Sequence, residues 1–127
     1  MSFCTAINCM DGRVQDQVAS HLRERFQATW VDTITAPGVV RLLAEGPAAP
    51  EVAGLVASAE ISVLAHSSGG LAVVAHHDCA GNPVPAEVQC EQVRASVGFL
   101  RERFPLVTVV GLWVGADWTV EELDIEP

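Results

Sequence analysis

Five side chains fall into two short clusters whose types and spacing could do chemistry. Cys9, Asp11 and Arg13 alternate along Ile7-Asn-Cys-Met-Asp-Gly-Arg13, and His76 and Cys79 stand three apart in Val74-Ala-His-His-Asp-Cys79. Two thiolates and one imidazole suit zinc, and three protein ligands leave a fourth position for solvent or substrate. The His-x-x-Cys spacing lets one turn deliver two ligands to one ion. Each residue alone has an ordinary reading: buried cysteines are often just small hydrophobes, and an Asp and an Arg in a loop are commonly a surface ion pair of little energetic value. The set reads differently. Asp11 lies two residues past a candidate ligand, so its carboxylate could bind the metal or face the open position, while Arg13 could grip it bidentately and keep it ionised.

Both clusters follow apolar runs, which suggests how they meet. Residues 2–9 carry no charge and residues 71–76 are continuously hydrophobic, as central strands buried on both faces would be. Between them Val14, Val18, Leu22 and Phe26 recur every fourth residue, predicting a helix with one buried stripe. A β-branched strand over 30–35 ends in Ala36-Pro37-Gly38, and 39–50 reads as a helical turn and a loop. A helix over 51–67 turns Val52, Leu55, Val56, Ala59, Val63 and Leu64 inward, with Gly69-Gly70 as its stop. A further helix spans 88–104, Pro105 ends it, a strand covers 106–114, and the acidic tail 121–126 reads as a solvated end. This alternation calls for an α/β fold: a central, mainly parallel sheet of about four strands with helices on both faces. Ligands in such sheets bind outside the carboxyl ends of the strands, where the winding direction changes, and both clusters belong on that edge.

Bulk properties narrow the function classes. A length of 127 residues suits a single zinc-binding α/β domain over 1–127. Seven basic against sixteen acidic residues, net charge -9, is the wrong sign for neutralising phosphates, so no nucleic-acid partner is expected. The apolar runs are strand-sized, so no membrane partner is expected either. No secretory signal is recognisable in the first residues, and a cytoplasmic location follows as an expectation. In that reducing compartment four cysteines favour metal or catalysis over disulfides. Cys4 and Cys90 are assigned to core packing, His77 and Asp78 to solvent, His66 to the dipole of its helix end, and Trp113 and Trp118 to a covered apolar surface.

The pattern Cys9-x-Asp11-x-Arg13 followed by His76-x-x-Cys79 resembles the β-class carbonic anhydrases, in which both motifs end neighbouring strands of a parallel sheet. The resemblance extends loosely over nearly the whole chain. It implies that Cys9, His76 and Cys79 are zinc ligands and that Asp11 and Arg13 are the catalytic dyad. It also implies a lyase that hydrates carbon dioxide reversibly to bicarbonate through a metal-bound hydroxide, working as a homodimer or higher homo-oligomer on a small-molecule substrate. Carbonyl sulfide and carbon disulfide are alternative linear electrophiles for the same site, and a non-catalytic zinc module is a third reading. Departures from the family pattern are specific. The Arg-Asn-Ala-Gly turn after the second strand is Thr35-Ala36-Pro37-Gly38 here, and the Cys-Gly at the last ligand is Cys79-Ala80-Gly81.

Overall fold

The computed structural model describes residues 2–127. Its elements in chain order are β1 (Phe3–Cys9), a 3-10 turn (Gly12–Val14), α1 (Gln15–Arg25), β2 (Trp30–Ala36), α2 (Val39–Glu45), α3 (Pro50–Ala65), β3 (Leu71–His76), α4 (Ala86–Arg103), β4 (Val109–Val114) and β5 (Val120–Glu122). They form one sheet in the order β2-β1-β3-β4-β5. The first four strands are parallel and β5 runs antiparallel to β4.

Strand periodicity separates two cores, one on each face. Cys4 and Ala6 of β1, with Ala72, Val74, Val110 and Leu112, pack on Val14, Val18 and Leu22 at α1. Ile7, Leu71, Val73 and Val109 point the other way, onto Val40 and Leu43 of α2, Val52 and Ala59 of α3, and Val93, Val97 and Leu100 of α4. Successive side chains in a strand face opposite sides, so β3, buried at every position, is apolar up to its last residue, His76. Helix α3 opens with Pro50, whose missing N–H costs nothing in the first turn. No single helix among the described residues is long and apolar enough to cross a membrane.

The expected sheet of about four strands gains a fifth. Part of the acidic tail is β5, with Val120 opposite Val114 and Glu122 opposite Leu112. As an edge strand it needs cover on one side only, and its acids discourage pairing with another chain. Strand β4 starts at Val109 rather than at 106, because Leu106 lies in the turn after Pro105 and is 99% exposed. His66 does more than face a helix dipole: its Nδ1 lies 2.6 Å from Asp32 Oδ2 on β2, and its ring stacks on Phe3.

Winding reverses between β1 and β3. The chain goes from β1 outward to β2, then returns to place β3 on the other side of β1. Pairing of β1 with β3 stops at Ile7 opposite Val73, although β1 stays paired with β2 to Cys9 and β3 stays paired with β4 to His76. The two central strands therefore carry their last residues past the end of their own ladder, at the switch point where α/β sheets place ligands.

Candidate metal centre

Cys9 ends β1, His76 ends β3, and Cys79 follows two residues of turn. Their donor atoms lie within 4.8 Å of one another, and all three residues are buried. The two sulfurs are 3.8 Å apart. His76 Nδ1 lies 2.7 Å from the His77 carbonyl, to which only a protonated nitrogen can donate. That contact directs the lone pair to Nε2, which is buried without a hydrogen-bond partner. An orphaned buried nitrogen beside two sulfurs is a costly arrangement for a protein core and a suitable one for a thiophilic divalent cation. The donor set thus fits zinc chemically, and the group could hold a metal ion.

Backbone groups complete the surroundings of the sulfurs. Burial pushes the Cys9 thiol up, but His76 and the N–H groups of Gly38 and Asp11 outweigh it and bring Cys9 below the ordinary thiol value. Cys79 is raised, first by burial and then by Cys9, against the opposing N–H groups of Gly81 and Asn82. The loops supplying those N–H groups touch each other. Gly38, at φ +56°, is so near Gly81 that a Cβ on it would lie 2.6 Å from the Gly81 carbonyl oxygen, and one on Gly81 would lie 2.7 Å from the Pro37 carbonyl carbon. Neither position has room for a larger residue. The departures at Thr35–Gly38 and Cys79–Gly81 therefore sit together, as two loops in backbone contact.

Asp11 and Arg13 stand beside the three donors. Arg13 Nη2 donates to Asp11 Oδ2 at 2.7 Å and Nε donates to Oδ1 at 3.1 Å, a bidentate grip. The Arg13 backbone N–H donates to Oδ1 at 2.8 Å, so Asp11 also caps the 3-10 turn. These contacts, led by the guanidinium, hold the Asp11 carboxyl down at about 2. Its Oδ2 lies 3.9 Å from His76 Nε2. The carboxylate is thus ionised, claimed by Arg13, and close to the donor cluster without belonging to it. A cavity of about 260 Å³ opens here, lined by Cys9, Met10, Asp11, Pro37, Ala80 and Gly81. Its walls are mostly apolar, with one acid.

Several contributors escaped the sequence reading. Gln15 donates through Nε2 to the carbonyls of Cys9 and Asp11, both at 2.8 Å, and ties the first cluster to α1. Buried Gln89 donates to the His76 carbonyl at 2.9 Å. Its signal was available, since it occupies the apolar stripe of α4 one turn before Val93, where an amide needs a reason. Asp78 is exposed but not idle: its carboxylate and its carbonyl both accept from Arg13, at 3.3 and 3.1 Å. Trp118 lies over the Arg13 guanidinium at 4.5 Å, and Trp113 packs against the core beneath α4. Cys4 is buried and Cys90 half-buried, both away from the donor cluster.

A family model described as "Putative carbonic anhydrase" matches residues 1–124. No curated protein matches. Among solved structures, the chain is similar to the tetrameric β-carbonic anhydrases of the filamentous ascomycete Sordaria macrospora, at 13% identity and TM-score 0.63, over 94% of this chain and 79% of that one. It is similar to a carbonic anhydrase from Glaciozyma antarctica at 19% identity and TM-score 0.61, over 93% and 80%. A β-carbonic anhydrase from the protozoan Trichomonas vaginalis shares 16% identity at TM-score 0.56, over 93% and 80%. At such identities the likeness establishes the fold, whereas the family match spans nearly the whole sequence. The chain belongs to the carbonic anhydrase family that this model describes, and it folds as a β-carbonic anhydrase.

Proposed function

We propose that residues 1–127 act as one zinc-binding α/β unit that hydrates carbon dioxide reversibly to bicarbonate. Cys9, His76 and Cys79 would hold the ion. When bound, zinc supplies the Lewis acidity that makes water a nucleophile near neutral pH. His76 contributes by presenting a bare Nε2, its tautomer set by the His77 carbonyl. Asp11 accepts the O–H hydrogen bond of the attacking water and so aims its lone pair at the substrate carbon. Arg13 keeps that carboxylate ionised and engaged beside the donor cluster. The apolar wall of Met10, Pro37, Ala80 and Gly81 gives a small neutral, linear molecule a place beside Asp11.

The observation that carries this reading is the convergence of two thiols and an unpartnered imidazole nitrogen, with an Arg-held carboxylate next to them. It requires reduced thiols, in keeping with a cytoplasmic location, and all four cysteines are free. A homo-oligomer is part of the proposal, supported by the tetrameric Sordaria relatives.

Zinc content measured together with stopped-flow CO2 hydration tests it. One equivalent of zinc and turnover well above buffer are expected, with Asp11→Asn keeping the metal and losing about 100-fold or more of kcat, the usual worth of a positioned acid–base group. Full zinc occupancy without hydration would overturn it, and carbonyl sulfide and carbon disulfide run in parallel would reveal hydrolysis of those gases instead.

A further inference from the structure

Arg13 uses its edges on carboxylates and carbonyls, and the groups that meet those edges are unequal. Asp11 is mostly covered, whereas the side chain of Asp78 is 72% exposed and adds a contact of little worth. Arg13 itself is 48% exposed, so its edge contacts alone leave it free to swing into water and release Asp11. What closes the remaining side is Trp118, with the guanidinium carbon 4.5 Å from the ring centroid.

Trp118 is itself held in place. It sits in the turn joining β4 to β5, where its N–H donates to the Gly115 carbonyl at 2.9 Å. Its φ of +63° is a conformation that bulky residues seldom adopt, and one that must be sustained by its surroundings. Those surroundings are specific. Gln17 of α1 donates to the Trp118 carbonyl at 3.2 Å, and Asp117 accepts from the backbone and hydroxyl of Thr119 to order the turn. The ring also lies 6.4 Å from the His76 ring and meets His77 edge-on at 6.1 Å. One strained aromatic residue, distant in sequence, thus touches the base that grips Asp11 and borders the imidazole of the donor cluster.

We propose that Trp118 is a positioning residue: its ring clamps the Arg13 guanidinium and thereby keeps Asp11 in its Arg-held orientation beside the metal centre. The inference rests on the reading of Asp11 as the group that orients water. Hydrogen exchange of the Arg13 side-chain Nε–H, followed by NMR on the 15N-labelled full chain, reports how often the Arg13–Asp11 pair opens, with or without turnover. Trp118→Ala should speed that exchange about two- to fivefold, the worth of an exposed cation–π contact, while Trp118→Phe restores most of the protection. In the zinc-loaded chain the Ala variant should lower kcat by a similar factor with KM unchanged, and the Phe variant should recover it. Unchanged Arg13 exchange in Trp118→Ala overturns the clamp. Equal acceleration of the β4 backbone amides overturns it too, since the ring would then serve only to hold the turn. Faster exchange with unaltered kcat would overturn the positioning role. A parent chain that binds zinc but hydrates no CO2 would defeat the functional reading alone, and the exchange comparison would still decide the clamp.

Discussion

Replacing Gly38 by Ala tests whether the two loops really share one space. The added Cβ would stand 2.6 Å from the Gly81 oxygen and 2.7 Å from the Gly81 carbonyl carbon, and both are backbone atoms that cannot rotate away. The left-handed φ of +56° adds roughly 1–2 kcal/mol for any residue with a Cβ. Forced displacement of packed atoms adds roughly 1–3 kcal/mol. The stiffer unfolded chain returns roughly 0.4–1 kcal/mol. The net loss is then about 1–4.6 kcal/mol. With an unfolding entropy of about 2.1 cal/mol/K per residue over 127 residues, 1 kcal/mol is worth about 4 °C, so Tm should fall by about 4–17 °C. Gly54→Ala is the matching control, because it lies within α3 with nothing near its Cβ direction, and it should raise Tm by about 2–4 °C. The Gly38 N–H also faces the Cys9 sulfur, so moving this loop should weaken zinc binding about 10–100-fold in a chelator competition. A Gly38→Ala chain melting within 2 °C of the parent would refute the packing argument. One that melts low yet keeps parental zinc affinity would refute the link from this loop to the donor sulfur.

Two further outcomes follow from other parts of the fold. By elemental analysis, Cys9→Ser, His76→Ala and Cys79→Ser should each lack the stoichiometric zinc expected of the parent, whereas Cys90→Ser should retain it, because Cys90 lies on α4 outside the donor cluster. Thr5→Val should cost about 0.5–1.5 kcal/mol in denaturant unfolding without altering zinc content. The Thr5 hydroxyl is buried and lies 2.6 Å from the Ser62 hydroxyl and 2.7 Å from that of Ser68, far along β1 from its carboxyl end; a methyl in its place takes one partner from each, while Ser62 still donates to Asp32 and Ser68 to the Gly70 carbonyl.

What was legible in the sequence depended on whether a signal was local. Strands β1 and β3 and the stripes of α1, α3 and α4 announce themselves by periodicity, because burial imposes it on consecutive residues. The convergence of Cys9 with His76 and Cys79 could also be foreseen, since parallel topology puts strand ends on one edge whatever the loops do. Strand β5 escaped because an edge strand needs only partial cover, and its three residues carry two acids that look like a solvated tail. The helix expected to start near Val14 begins with a 3-10 turn instead, because Asp11 bends back to cap it while also serving Arg13.

Contacts that cross the fold were beyond such reading, and the environment of Arg13 shows why. The bidentate hold on Asp11 joins residues two apart and could be inferred from spacing alone. The Asp78 contacts need two strands set side by side, and the Trp118 contact needs β4 and β5 to form a hairpin that returns over α1. Each step outward from Asp11 thus depends on more of the sheet being in place. The same order has a chemical consequence. The donor atoms that could hold a metal come from the ends of the central strands and the turn after β3, whereas the group that would orient water is held through Arg13 by the peripheral hairpin. Loosening that hairpin should disturb Asp11 before it disturbs Cys9, His76 or Cys79, so a chain damaged at this edge would keep its metal and lose its rate.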